Sequence, residues 1–126
     1  MARVLIVEDD DNLRDMVREW LVFEKHTVTA VGSGMEALEQ LSVLIFDVVL
    51  LDWHLEDMYG IDVLKKFRSG GGTTPVLVLT GSTGPEDKDR AMEAGASGYV
   101  RKPFKLQELS TTIADIISEQ SIKEQR

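Results

Sequence analysis

The most informative absence in this sequence is cysteine. None of the 126 residues is a cysteine, which excludes disulfide frameworks, thiolate zinc sites and cysteine nucleophiles. The only histidines are His26 and His54, so a histidine-rich metal cage is excluded as well. Oxygen atoms are therefore the main metal ligands that this chain can offer.

Positive charge and long apolar runs are also scarce. Acidic residues outnumber basic ones by 22 to 14, and a net charge of −8 does not favour binding to nucleic acid phosphates. The longest apolar run, residues 43–51, is interrupted by Asp47 and is too short to span a bilayer. The first residues do not form a signal peptide. We expect a cytoplasmic protein that contacts neither DNA nor a membrane through this domain.

The composition is otherwise that of a folded domain. The length suits a single domain, and the hydrophobic content of 43% is enough for a core, while 29% charged residues argue against disorder. We assign residues 1–120 to this domain and interpret residues 121–126 as a polar tail or the start of a linker.

Short apolar runs alternate with helical periodicity along the chain. The run at 4–7 is apolar throughout, as expected of a strand covered on both faces. The predicted strands are residues 4–7, 27–31, 46–51, 76–79 and 98–101. Asp10 or Asp11 is expected to begin the first helix, and capping boxes at 33–36 and 83–86 indicate two others. Five strand–helix units predict a doubly wound parallel α/β sheet.

Reactive groups follow four of these strands. They are Glu8, Asp9, Asp52, Thr80 and Lys102. Sites in parallel α/β folds lie at the carboxyl ends of the strands, so we expect these groups to meet. Carboxylates that crowd together require a cation, and oxygen ligands suit Mg²⁺. A carboxylate, a hard cation, a lysine and a hydroxyl are equipped for phosphoryl transfer.

Four segments resemble the signature segments of response-regulator receivers. They are VLIVEDD at 4–10, VVLLDW at 48–53, VLVLTG at 76–81 and GYVRKPF at 98–104. Their order and separations match, and the resemblance covers residues 3–117. It implies a flavodoxin-like (βα)5 fold with strand order 2-1-3-4-5. It also implies a phosphorylation switch that assists its own phosphoryl transfer and dephosphorylation, not an enzyme that acts on a separate substrate.

The resemblance assigns the acidic residues to the metal and to the phosphoryl group. Asp52 is implied to be the nucleophile that becomes aspartyl phosphate. Glu8, Asp9, Asp52 and the backbone carbonyl of His54 are the implied ligands of Mg²⁺, with Glu8 acting mainly through water. The side chain of His54 is the alternative ligand at that position.

Other residues are implied to contact the phosphoryl group or to respond to it. Lys102 would pair with one phosphoryl oxygen and Thr80 would donate a hydrogen bond to another. Backbone N–H groups expected to assist are those of Trp53 and Gly81. Thr80 and Tyr99 form the implied switch pair, and the peptide bond between Lys102 and Pro103 is expected to be cis.

The resemblance also implies partners. The phosphoryl donor would be a sensor histidine kinase or a phosphotransfer protein. The output would be a domain or a downstream protein bound through the fourth helix, fifth strand and fifth helix. The chain would be a monomer or a phosphorylation-dependent dimer, and it lacks most of the charged pairs that mark the dimer face of receivers attached to winged-helix domains.

The segment after the nucleophile departs from the family's usual pattern. His54 stands where methionine is common, Glu56 where proline is common, and Tyr59 where aspartate is common. None of these is a catalytic group. The resemblance therefore does not extend to the loop's rigidity or to the lifetime of the phosphoryl group, because His54 and Ser82 occupy the two positions that flank the route of attacking water.

Three other functions are possible on the sequence alone. A haloacid-dehalogenase-type phosphatase needs an acid two residues after its nucleophile, where this chain has His54, and it needs a cap domain. A flavodoxin-like cofactor binder needs a phosphate-binding loop after the first strand, where this chain places acids. A degenerate receiver would act as a phosphorylation-independent interaction module, although this chain retains every key residue.

Overall fold

The structure, a computed structural model, describes residues 2–81 and 85–124. Five strands alternate with five helices: β1 (Arg3–Val7), α1 (Asp11–Phe23), β2 (Thr27–Val31), α2 (Gly34–Val43), β3 (Val48–Asp52), α3 (Gly60–Ser69), β4 (Val76–Thr80), α4 (Pro85–Glu93), β5 (Gly98–Arg101) and α5 (Leu106–Glu124). Asp10, one of the two acids expected to begin the first helix, is the N-cap residue of α1. Ser33 is the N-cap residue of α2. The capping box at 83–86 and Ser82 lie partly or wholly outside the described residues.

The five strands form one parallel sheet. Their order is β2-β1-β3-β4-β5, which confirms the predicted flavodoxin-like α/β fold. The third strand begins at Val48, two residues later than predicted. Asp47 instead exchanges hydrogen bonds with Arg3, donating its N–H to the carbonyl (2.8 Å) and accepting the Arg3 N–H on its carboxylate (2.7 Å). This side-chain contact replaces a strand pair at the beginning of β3.

Buried apolar side chains form two clusters in the described part of the chain, one on each face of the sheet. One cluster joins the sheet to α2, α3 and α4, and the other joins it to α1 and α5. All five residues of β3 and all five of β4 are buried. This double coverage explains why these strands are almost uniformly apolar. It also leaves the ends of the central strands as the place where polar groups collect.

Helix α5 continues through residues 121–124, which we had assigned to a tail or linker. Within the described residues, none of the helices has the length and apolar character needed to cross a bilayer.

Three helices end in the same hydrogen-bonded turn. In this Schellman turn, N–H groups of the first and second residues after the cap reach back to carbonyls in the last turn, and the first of them has positive φ. Gly71 occupies that position after α3 (φ 92°) and Gly95 after α4 (φ 106°). After α1 the position is taken by Lys25, whose φ is 73°. Lys25 therefore adopts a left-handed conformation that glycine tolerates better.

We expect the substitution Lys25→Gly to stabilise the protein by about 0.5–1 kcal/mol, because it removes the steric cost of a Cβ atom in the left-handed region. Urea denaturation would measure the free energy of unfolding. Lys25→Ala is the matched control, since it removes the same charge but keeps the Cβ atom. An equal gain in both variants would assign the effect to the side chain and contradict the backbone explanation.

Candidate functional site

Two acidic residues meet at the carboxyl ends of β1 and β3. These strands are neighbours, and Val7 pairs with Leu51, so the residues that follow each pair lie side by side. Those residues are Glu8 and Asp52, which are only 2% and 5% exposed. Carboxylate oxygens of Glu8, Asp9 and Asp52 lie within 4.8 Å of one another. The sheet therefore brings together the three carboxylates that the sequence places after β1 and at the end of β3.

A lysine provides the positive charge of this cluster. Lys102 follows β5, and its side chain reaches across the end of β4 to the acids. Its ammonium lies 2.6 Å from Oε1 of Glu8 and 3.2 Å from Oδ1 of Asp52. The backbone N–H of Lys102 donates to the carbonyl of Thr80 at 2.6 Å, which fixes the beginning of the loop between β5 and α5. The peptide bond from Lys102 to Pro103 is cis.

The acids and the lysine shift one another's ionisation. Burial raises the pKa of Glu8 above its usual value, and the neighbouring Asp52 adds to the rise, while the hydrogen bond from Lys102 opposes it. Burial alone would lower the pKa of Lys102, but its hydrogen bond to Glu8 and the charges of both acids outweigh burial and raise it. The lysine therefore remains a cation. Within the described residues, its ammonium contacts two of the three clustered carboxylates, those of Glu8 and Asp52. The cluster has an excess of negative charge.

The donor set fits a hard divalent cation. Three carboxylates close together supply only oxygen ligands, as Mg²⁺ prefers. Glu8 is already engaged through both oxygens, since Oε1 accepts from Lys102 and Oε2 accepts from the N–H of Asp10 at 3.2 Å. This leaves Asp9 and Asp52 better placed than Glu8 for direct contact with an ion.

The chain matches a family model over most of its length. Residues 4–114 match the response regulator receiver domain. The chain belongs to this family. The receiver is 36% identical over 115 residues to the cell cycle response regulator CtrA of Brucella ovis, an alignment that covers 91% of the receiver and 50% of the relative. The receiver thus spans about half the length of the curated relatives it matches.

Solved structures of the same fold include two informative ones. A CheY-like receiver domain protein from Methanospirillum hungatei is 28% identical, with a TM-score of 0.92 and 98% of each chain covered. The receiver domain of the sensor histidine kinase PA1611 from Pseudomonas aeruginosa is 26% identical, with a TM-score of 0.85, and 93% of this receiver and 98% of that chain are covered. That structure holds a magnesium ion in its active-site cleft.

The remaining predicted residues are distributed around the cluster. Thr80 is fully buried at the end of β4, and Gly81 after it is exposed. Tyr99, in β5, is half-buried and packs against the apolar cluster between the sheet and helices α2, α3 and α4. Trp53 is 6% exposed and belongs to the same core, whereas His54 is exposed. The N–H of His54 donates to Oδ1 of Asp52 at 3.3 Å.

One residue near the site, Asp57, was not predicted from the sequence. Asp57 lies in the loop after β3, and its carboxylate accepts hydrogen bonds from the N–H groups of Gly34 and Met35 at the beginning of α2. A capping residue normally precedes its helix directly. Because Asp57 lies more than 20 residues from Gly34 and Met35 along the chain, no local pattern in the sequence could reveal this contact.

We expect Glu8→Gln to raise the melting temperature of the metal-free receiver by about 2–5 °C near pH 8. A carboxyl whose pKa rises on folding stabilises the fold at low pH, and that contribution is lost as the pH rises through the folded pKa. Glutamine resembles the protonated acid at every pH. The advantage of the variant should therefore shrink as the pH falls towards 4.5, the usual glutamate value.

Thermal melts between pH 4.5 and 8 would test this expectation. Asp62→Asn is the matched control, because it removes one acidic charge from an exposed position in the first turn of α3. An advantage that is the same at every pH, or that Asp62→Asn reproduces, would contradict the assignment to Glu8.

Proposed function

We propose that this receiver accepts a phosphoryl group on Asp52 in a reaction that depends on Mg²⁺. The donor in the cell is the phosphohistidine of a sensor kinase or of a phosphotransfer protein. The observation that carries this proposal is the convergence of three carboxylates and one lysine at the ends of adjacent parallel strands. Membership of the chain in the receiver family supports the proposal, because receivers are phosphoryl-accepting switches.

The transfer needs a nucleophile and compensation of negative charge. A carboxylate oxygen of Asp52 attacks phosphorus, the bond from phosphorus to the imidazole nitrogen breaks, and its electron pair returns to the imidazole. Oδ1 of Asp52 already accepts from Lys102 and from His54, so we assign the attack to Oδ2. Lys102 lies close enough to Asp52 to pair with an incoming phosphoryl oxygen. The hydroxyl of Thr80 and the N–H groups of Trp53 and Gly81 are proposed to bind the others.

Four groups would hold the metal. They are the carboxylates of Glu8, Asp9 and Asp52 and the backbone carbonyl of His54. Mg²⁺ would supply charge neutralisation and orientation of the phosphoryl oxygens. The related receiver with magnesium in its cleft supports this assignment. The exposed His54 side chain lies on the loop's surface, which favours its carbonyl over its imidazole as the ligand.

Two alternatives are less well supported. A phosphatase of the haloacid-dehalogenase type needs an acid two residues after the nucleophile, and this position holds an exposed histidine, His54. A degenerate receiver would have no need for a lysine that bridges two buried acids, as Lys102 does here.

Phosphorylation should occur at Asp52 alone. Incubation with acetyl phosphate and Mg²⁺ should add the mass of one phosphoryl group to the intact protein, and hydroxylamine should remove it. Asp52→Asn should show no labelling, because a carboxamide has no anionic oxygen to attack phosphorus. Asp62→Asn serves as the control for loss of one exposed acid. Full labelling of Asp52→Asn would show that another residue is the acceptor.

We propose that phosphorylation is transmitted through Thr80 and Tyr99. Thr80 ends β4 and is buried next to the site. Tyr99 lies in the neighbouring strand β5, where it pairs with Val78 of β4. A phosphoryl group would offer the Thr80 hydroxyl a new acceptor, and its rotation would change the space available to the half-buried ring of Tyr99. The outward result is a change in the face formed by α4, β5 and α5.

Beryllofluoride, which mimics a bound phosphoryl group, should therefore shift amide resonances in α4 and β5 as well as around Asp9 and Asp52. Thr80→Ala should retain the shifts near Asp52 and lose most of those in α4 and β5. Shifts confined to the loops around the acids in the wild type would contradict the proposed switch.

The wider role of the receiver follows the family. We propose a cytoplasmic protein whose α4–β5–α5 face binds an output domain or a separate protein, as a monomer or as a phosphorylation-dependent dimer. The curated relatives are about twice as long as this chain. The receiver's net charge of −8 makes DNA an unsuitable ligand for this domain.

A further inference from the structure

The loop between β3 and α3 carries a proposed metal ligand. This loop comprises residues 53–59 and includes His54, whose carbonyl we assigned to Mg²⁺. Its two ends are joined to each other: Gly60 donates its N–H to the carbonyl of Trp53 at 2.9 Å, and His54 pairs with Tyr59 in an isolated antiparallel bridge. The rings of His54 and Tyr59 also meet edge to face, 6.1 Å apart.

The middle of the loop is attached to a different element. Oδ1 of Asp57 accepts the N–H of Gly34 at 2.9 Å, and Oδ2 accepts the N–H of Met35 at 3.0 Å. Both donors belong to the first turn of α2, where N–H groups lack partners within the helix and where the helix dipole favours a negative charge. The hydrogen bond from Gly34 is the main reason that the pKa of Asp57 lies below its usual value. Both carboxylate oxygens of Asp57 therefore accept hydrogen bonds from α2 and connect the loop to that helix.

Packing reinforces this attachment. A Cβ atom on Gly34 would lie 2.4 Å from Cγ of Met58 and 2.9 Å from Cγ2 of Val63, so the absence of a side chain at Gly34 provides the space that Met58 fills. Leu55, on the other side of Asp57, is 8% exposed and packs in the same core. Two adjacent contacts thus attach the loop to α2: the hydrogen bonds of Asp57 and the packing of Met58 against Gly34.

We propose that Asp57 is a positioning residue for the metal site, holding the loop from α2 so that the His54 carbonyl faces the carboxylates. This inference rests on the proposed function, because it takes that carbonyl to be a ligand. Without the contacts to Gly34 and Met35, the segment between His54 and Tyr59 would sample other conformations. Only the fraction of molecules with the carbonyl in place would bind the ion well, and the apparent affinity would fall by that fraction.

The coupling must act in both directions. If the contact between Asp57 and α2 favours Mg²⁺ binding, then Mg²⁺ binding must favour the contact by the same factor. The amide protons of Gly34 and Met35, which Asp57 binds, should therefore exchange more slowly with solvent when Mg²⁺ is added. These amides lie in an element that supplies none of the proposed ligands, so direct contact with the ion does not explain such protection.

Loss of one negative charge near a cation site weakens binding by itself, so the test needs a matched control. Glu56 provides it: it is exposed and lies in the same loop next to Asp57. Among the described residues, the hydrogen bonds from this loop to the first turn of α2 are accepted by Asp57 and not by Glu56. Glu56→Gln and Asp57→Asn remove the same charge and conserve size. Asp57→Ala removes both acceptors, whereas the carboxamide of Asp57→Asn keeps one.

The experiment is a Mg²⁺ titration followed by the fluorescence of Trp53 in a Trp20→Phe background. We expect the dissociation constant to rise about tenfold in Asp57→Ala, since loss of a residue that positions a metal ligand typically weakens metal binding by about tenfold or more. The rise should be smaller in Asp57→Asn and less than about twofold in Glu56→Gln. At saturating Mg²⁺, phosphorylation of Asp52 by acetyl phosphate should return to the wild-type rate in all variants. Mg²⁺ should slow exchange at Gly34 and Met35 in the wild type and in Glu56→Gln, but not in Asp57→Ala.

The outcomes separate this inference from the proposed function. A wild type that does not bind Mg²⁺ would overturn the proposed function and, with it, the premise for Asp57. A wild type that binds Mg²⁺ while the Asp57 variants match Glu56→Gln would overturn the positioning role alone. A phosphorylation defect that persists in Asp57→Asn at saturating Mg²⁺ would also overturn it, because that result would indicate general damage to the fold. If Asp57→Ala fails to fold, Asp57→Asn gives the same comparison.

Discussion

The repulsion between carboxylates at the ends of β1 and β3 is the constraint on which the site depends. Pairing of Val7 with Leu51 places Glu8 next to Asp52, and both are buried. Two anions in that position are unfavourable unless a cation accompanies them. Lys102 supplies one from the end of β5, a strand that does not pair with β1 or β3. Its side chain is long enough to cross the end of β4 and reach both acids.

The rest of the fold makes this unfavourable arrangement tolerable. The central strands are covered by helices on both faces, and the burial of their apolar side chains stabilises the sheet strongly enough to hold charged groups together at one edge. The loop after β3 is fixed by Asp57 and Met58 to α2, an element on the far side of that loop. The sheet and α2 therefore determine the distances between the charged groups of the site.

The fold and the cluster were predictable from sequence because their signals are local. An apolar strand followed by an acid, repeated at the correct separations, identifies both the strand and the group that its end carries. The beginning of β3 was misplaced because Phe46 is apolar and buried, while a side-chain contact between Asp47 and Arg3 keeps that segment out of the sheet. The role of Asp57 and the left-handed Lys25 were not predictable, since one depends on a distant helix and the other on a turn that usually contains glycine.

The position of Lys102 suggests why such a site can work as a switch. Its shorter contact is with Glu8, at 2.6 Å, and its longer contact is with Asp52, at 3.2 Å. A divalent cation among the carboxylates would weaken the ion pair between Glu8 and Lys102, because the ion and the ammonium of Lys102 are attracted to the same carboxylate oxygens. A phosphoryl group on Asp52 would then present new oxygens with a charge of about −2 within reach of the freed ammonium. In the proposed function, Lys102 would therefore be free to bind the phosphoryl group when the carboxylates hold Mg²⁺, and the ion would supply compensation of that group's negative charge.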